Sequence, residues 1–152
     1  MDTVRLDEAV DSFIAFTRSL PAETLKASGT DRWGPREVLI HLVFWHEQYA
    51  SIASAVAAKR PPKLHAGTIG DVNRFAVAED AETSVETLIA RWTKANRRLA
   101  GVASRRDAVR LRIPLREKSK QWPLADLLRV AAGHIGKHEA ILRKVLLPAH
   151  KS

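Results

Sequence analysis

Apolar residues recur every three or four positions along four separate stretches of this chain, a spacing that restricts the fold more than any other feature of the sequence. Leu6, Val10, Phe13, Ile14 and Thr17 mark the first stretch, from about residue 3 to 19, which Pro21 stops. Gly34-Pro35-Arg36-Glu37 then supplies a cap, a proline at the first helical position and a carboxylate in the first turn. Val38, His41, Leu42, Trp45, Tyr49, Ile52 and Val56 line one face of the helix that follows, up to about Lys59 and ahead of Pro61-Pro62. Thr83-Ser84-Val85-Glu86 reads as a capping box for a third helix, which carries Val85, Leu88, Ile89, Trp92, Ala95, Leu99 and Val102. Trp122-Pro123 opens a fourth, with Leu127, Ala131, His134, His138, Ile141 or Leu142, and Val145 facing inward. Helices over 3–19, 35–59, 84–103 and 123–147 predict an all-α four-helix bundle.

Two segments interrupt the helical rule. The linker KRPPKLHAGTIGD leads to at most one short helix over VNRFAVAE. Between residues 104 and 121 the pattern alternates instead, with Val109, Leu111, Ile113 and Leu115 on one side and Arg110, Arg112 and Arg116 on the other. Pro114 limits this stretch to an edge strand or an extended crossover before the last helix. Trp33 and Trp122 flank helix starts as staples, while Trp45 and Trp92 fall at core positions.

A chain of 152 residues can bury its apolar surface as a single domain over 1–152 without staples. There is no cysteine, which excludes disulfides, thiolate metal sites and a cysteine nucleophile. No apolar run reaches the roughly 20 residues of a membrane span. The N-terminal MDTVRLDEAV, acidic and amphipathic, is unlike a secretion signal, so a cytoplasmic protein is expected. Charge is uneven: residues 91–121 hold eleven basic side chains against two acidic ones, more than the +8 of the whole chain. Such a stripe attracts phosphates or anions, but clustered Arg and Lys also make an ordinary solvated face.

Gly133-His134-Ile135-Gly136-Lys137-His138 is the anomaly, because each interior glycine costs a helix roughly 0.5–1 kcal/mol relative to alanine and a buried imidazole needs partners for both nitrogens. His134 and His138, spaced i and i+4, project from one helical face, and His41 occupies the inward stripe of the second helix. Two readings stand open: core histidines bonded to carbonyls or water, or a cage of three neutral imidazoles for a divalent metal. On the second, Gly133 and Gly136 leave room beside the ligands for a close helix or a substrate. His46 lies about 140° around the helix from His41, His65 is in the linker and His150 in the tail. Ala50 stands where an HExxH motif starting at His46 would need its second histidine.

RWGPREVLIHLVFWHEQYA, followed downstream by GHIGKHEAIL, resembles the DinB-like (DinB/YfiT) superfamily of bacterial four-helix bundles. The second-helix segment together with NRFAVAEDAETSVETLIARW is most similar to its branch of colibactin self-resistance proteins, the ClbS/DfsB type. The resemblance implies an up-down-down-up bundle with a long crossover, a homodimer, and a site in which His41, His134 and His138 bind zinc, nickel or a similar divalent ion. It also implies activities such as thiol-dependent transfer or isomerisation, or hydrolysis of small molecules, while fold transfers better than reaction.

Without cysteine, a thiol nucleophile has to be imported as a low-molecular-weight cosubstrate such as mycothiol, bacillithiol or glutathione. The expected function is therefore a metal-dependent enzyme that hydrolyses a small electrophilic substrate or transfers a thiol to it. The pocket is expected among Trp45, Tyr49, Gly133 and Gly136, with Asn73 and His65 from the linker at its rim. The alternative is a non-catalytic protein that sequesters a reactive metabolite or uses the basic 91–121 segment for nucleic acid. Nucleic acid is the weaker reading, because no exposed-looking aromatics interleave with those arginines and no recognised motif is present.

Overall fold

Why the chain forms these helices is visible at their ends. The structure, a computed structural model, describes residues 1–26 and 33–147, so Arg32 and His150 lie outside the described residues. Four long helices, α1 (Val4–Ser19), α2 (Pro35–Ala57), α4 (Val85–Ala103) and α5 (Leu124–Leu146), are joined by a short α3 (Ile69–Glu79). Glu37 accepts a hydrogen bond from the Gly34 N–H at 3.2 Å, closing the first turn of α2. Thr68 caps α3 by accepting from the Asp71 N–H at 3.1 Å. The expected Thr83/Glu86 box is replaced by a simple cap one residue later. Ser84 accepts from the Thr87 N–H at 3.1 Å, while Glu86 reaches across to Arg18 at 2.9 Å and Thr83 bonds Asp80.

The bundle pairs α1 with α5 and α2 with α4, and α2 also touches α3, α5 and the crossover. Being surrounded, α2 is buried without interruption from Pro35 to Val43 rather than along one face only. Phe13 packs edge-on against Trp92, ring centroids 5.6 Å apart, at the heart of an apolar cluster that all four long helices share. The crossover before α5 folds into a two-stranded antiparallel hairpin, β1 (Arg112–Pro114) and β2 (Gln121–Pro123), with Ile113 opposite Trp122. Pro114, at the end of a two-stranded ladder, removes no needed donor. Of the four residues expected inside, Leu111 and Ile113 are buried and Leu115 is half-buried; Val109 is exposed because the Ala108–Arg110 segment turns in a 3₁₀ coil instead of extending.

One expectation for the last helix is corrected. Leu142, of the pair Ile141 or Leu142, is buried, but Val145 is exposed, as is Ile141. They continue the stripe of His134 and His138, which borders a cavity and not the centre of the core, so nothing covers them once the cavity ends. No described helix is long and apolar enough to cross a membrane.

Arg36 and Arg91 fix the linker that carries α3. Arg36, buried at the start of α2, donates to the carbonyls of Asp80, Ala81 and Thr83. Arg91 forks between Glu47 at 2.6 Å and Asp80 at 2.8 Å, and its hydrogen bond is the main reason the Asp80 carboxyl is held below its ordinary range.

His46, about 140° around the helix from His41, is buried in this core. Its Nε2 lies 3.0 Å from Asn96 Oδ1; the Asn96 amide donates to Asp7 at 2.7 Å, and Asp7 accepts from Thr3 at 2.9 Å. This chain ties α2 through α4 to α1. Burial pushes the His46 pKa down to about 4, only partly opposed by Asn96 and Asp7. The unfolded chain therefore takes up the proton first as pH falls below ~6.5. The stability at stake is fully present above that pH and is lost towards pH 4, by about 3 kcal/mol. In urea titrations between about pH 7 and 4.5, His46→Gln, which keeps a polar group for Asn96 but does not titrate, should lose stability less steeply than the wild type.

Candidate metal centre

Helix α2 presents His41 from the interior of the bundle, and α5 presents His134 and His138 one turn apart. The three meet. His41 Nε2 is 3.4 Å from His134 Nε2, which is 3.0 Å from His138 Nε2, and one ligand atom from each ring lies within 4.8 Å of the others. This is the one such cluster of three among the described residues, and it could hold a metal ion.

The donor set fits a cation better than it fits itself. A neutral imidazole nitrogen carries either one proton or one in-plane lone pair. His134 Nε2 can therefore serve only one of its two histidine neighbours well, whichever tautomers are drawn, whereas a divalent ion accepts all three lone pairs together. His41 Nδ1, on the other side of its ring, is buried with no hydrogen-bond partner among the described residues. Burial first, then the two neighbouring histidines, push the His41 pKa down to about 4, with Asn73 acting in the other direction. Burial also lowers His134 and His138, each with a contribution from Lys137. All three rings are thus kept in the neutral form that ligates metals.

A cavity of about 490 Å³ opens beside the cluster. Trp45, Tyr49 and Asn73 line it as the sequence suggested, and the Trp45 N–H donates to Asn73 Oδ1 at 2.6 Å, so α3 closes one side. Burial raises the Tyr49 pKa to about 12. His65 does not line the cavity. It bonds Gln48 at 3.1 Å and pairs with Arg116 in an isolated parallel bridge, so it braces the mouth from behind. Gly133 and Gly136 are corrected: both lie on the exposed side of α5, outside this cavity, and a Cβ built on either meets nothing within 4 Å. They face away because 133 and 136 sit on the flanks opposite the inward ring of 134 and 138.

Sequence reasoning missed Trp33, Ile69, Leu115 and Arg116 as cavity residues. Trp33 was legible only as a staple, yet its ring lies 5.1 Å from that of His41. Leu115 and Arg116 arrive from the crossover, where the alternation signalled a strand but not what it would cover.

Removing one imidazole separates metal from packing. Zinc should raise the melting temperature of the wild type, and His138→Ala, at a half-buried position, should abolish most of that rise while leaving the metal-free midpoint nearly unchanged in the same thermal scan. By contrast, Gly133→Ala and Gly136→Ala should each stabilise the protein by up to about 1 kcal/mol in chemical denaturation, with the zinc response intact.

Comparison with known proteins agrees with this architecture. No curated protein and no solved structure matched the chain. The sequence profile of the DinB superfamily matches residues 5–142, from the first turn of α1 to the last turns of α5. This chain therefore belongs to the DinB superfamily.

Proposed function

We propose that this protein is a metal-dependent enzyme acting on a small electrophilic molecule, by hydrolysis or by transfer of a thiol, with His41, His134 and His138 holding a divalent ion, zinc or nickel. The observation that carries the reading is the convergence of three neutral imidazoles beside an aromatic-walled cavity. A divalent ion in such a place acts as a Lewis acid and lowers the pKa of a nucleophile brought to it.

The chain's own groups bind and orient. Trp33, Trp45 and Leu115 exclude water from the reacting centre. Tyr49, whose phenol stays protonated at neutral pH, is available as a hydrogen-bond donor to charge that develops on the substrate. No cysteine exists in the chain and no carboxylate among the described residues lines the cavity, so on this reading the nucleophile comes from outside, as water or as a low-molecular-weight thiol. The likeness of the α2 segment to the ClbS/DfsB-type branch supports placing the chain near those self-resistance proteins and favours a reactive metabolite as substrate. The apolar residues left exposed on α5, Val130, Ile141 and Val145, support a homodimer.

Melting temperatures with added zinc or nickel, before and after chelation, and with and without glutathione, mycothiol or bacillithiol, test the reading. A transferase should gain stability from one thiol only when the metal is present, by RT ln(1 + [L]/Kd). A hydrolase should respond to the metal alone, and indifference to every metal would overturn the proposal.

A further inference from the structure

We infer that the cavity beside the histidines takes an organic anion, a small molecule with a flat apolar body whose carboxylate is held by Arg116. The inference rests on the reading of this cavity as the substrate site. Its walls are mostly aromatic and aliphatic, Trp33, Trp45, Tyr49, Ile69 and Leu115, a surface that recognises a flat apolar body by stacking and burial. Among the described residues, Arg116 is the one permanently charged side chain in the lining.

What separates Arg116 from the other arginines is that its charge is unanswered. Three arginines among the described residues are not fully on the surface. Arg36 is satisfied by three carbonyls and Arg91 by two carboxylates. Arg116, a half-buried residue, makes no side-chain hydrogen bond or ion pair with any described residue, and neighbouring Glu117 is exposed. A guanidinium beside apolar walls gains more from a carboxylate than one surrounded by water does, and its planar fork matches both oxygens.

The backbone under Arg116 is held in place. Its N–H donates to Ser119 Oγ at 3.2 Å, and the same hydroxyl donates back to its carbonyl at 2.9 Å. Lys118, at φ 61°, closes this turn, and the bridge to His65 anchors its other side. A fixed origin reduces the ordering cost of engaging a ligand.

The test uses isothermal titration of the full chain with naphthalene-2-acetate and with its neutral primary amide, on zinc-loaded and on metal-stripped protein. The carboxylate should bind about ten- to a hundredfold more tightly than the amide, as one charge-assisted bidentate contact implies. Arg116→Gln should erase that preference and Arg116→Lys keep part of it, with the zinc-induced rise in melting temperature unchanged in both. Because the preference is also read on stripped protein, failure of the metal reading would appear as a missing zinc response while the anion result stood. Equal affinity for the two probes, no binding of the carboxylate at millimolar concentration, or an undiminished preference in Arg116→Gln, as direct coordination of the carboxylate to the ion would give, overturns the inference.

Discussion

A helix that is apolar on nearly every side has to be enclosed, and α2, buried from Pro35 through Val43, imposes that demand on the rest of the molecule. The long α4 covers one flank, α5 and β1 another, and α3 folds over a third. Enclosure explains why a sixteen-residue α1 and the far longer α5 pack mainly on each other: they complete the layer that α2 and α4 leave open. It also explains the two arginine tethers. Arg36, bonded to three backbone carbonyls, and Arg91, paired with Glu47 and Asp80, hold the α3–α4 connection that would otherwise leave α2 partly bare.

The same enclosure sets the chemistry of the histidines. His41, delivered from the most buried helix, loses the solvation that would let it carry a proton, and the neighbouring imidazoles add to the effect. His46, on the same helix, is equally dehydrated but finds Asn96 and Asp7. One buried imidazole is thus satisfied by an amide that a carboxylate holds in place, and the other is turned toward two more imidazoles that no hydrogen-bonding scheme satisfies together. The contrast between them separates a structural histidine from a candidate ligand more clearly than burial does.

Much of this was legible in the sequence. Periodicity located the four long helices to within two residues at each end, and the i, i+4 spacing of His134 and His138 on the stripe of His41's partner helix brought the correct three residues together. What escaped depended on long-range packing. Whether a stripe residue such as Val145 is buried is decided by whether a neighbouring element extends that far, and the chain's periodicity is silent on that point. Gly133 and Gly136 are neighbours of the site in sequence, but one residue of offset on a helix is a rotation of about 100° and two residues is about 160° in the opposite sense, enough to put them outside. Trp33, Leu115 and Arg116 belong to connections, whose course no periodicity describes.

The division of labour between helices and connections carries a consequence for how such a protein diversifies. The histidine cluster is built on α2 and α5, whose positions are locked by the core, whereas part of the cavity wall comes from α3, in the connection between α2 and α4, and from the hairpin, the two connections being stitched to each other by the His65–Arg116 bridge. Exchanging residues in those two connections alters the shape and charge offered to a guest without disturbing the imidazoles or the apolar cluster beneath them. On the proposed function, reactivity and selectivity would therefore be separately heritable traits in this scaffold, with selection free to retune the second while conserving the first.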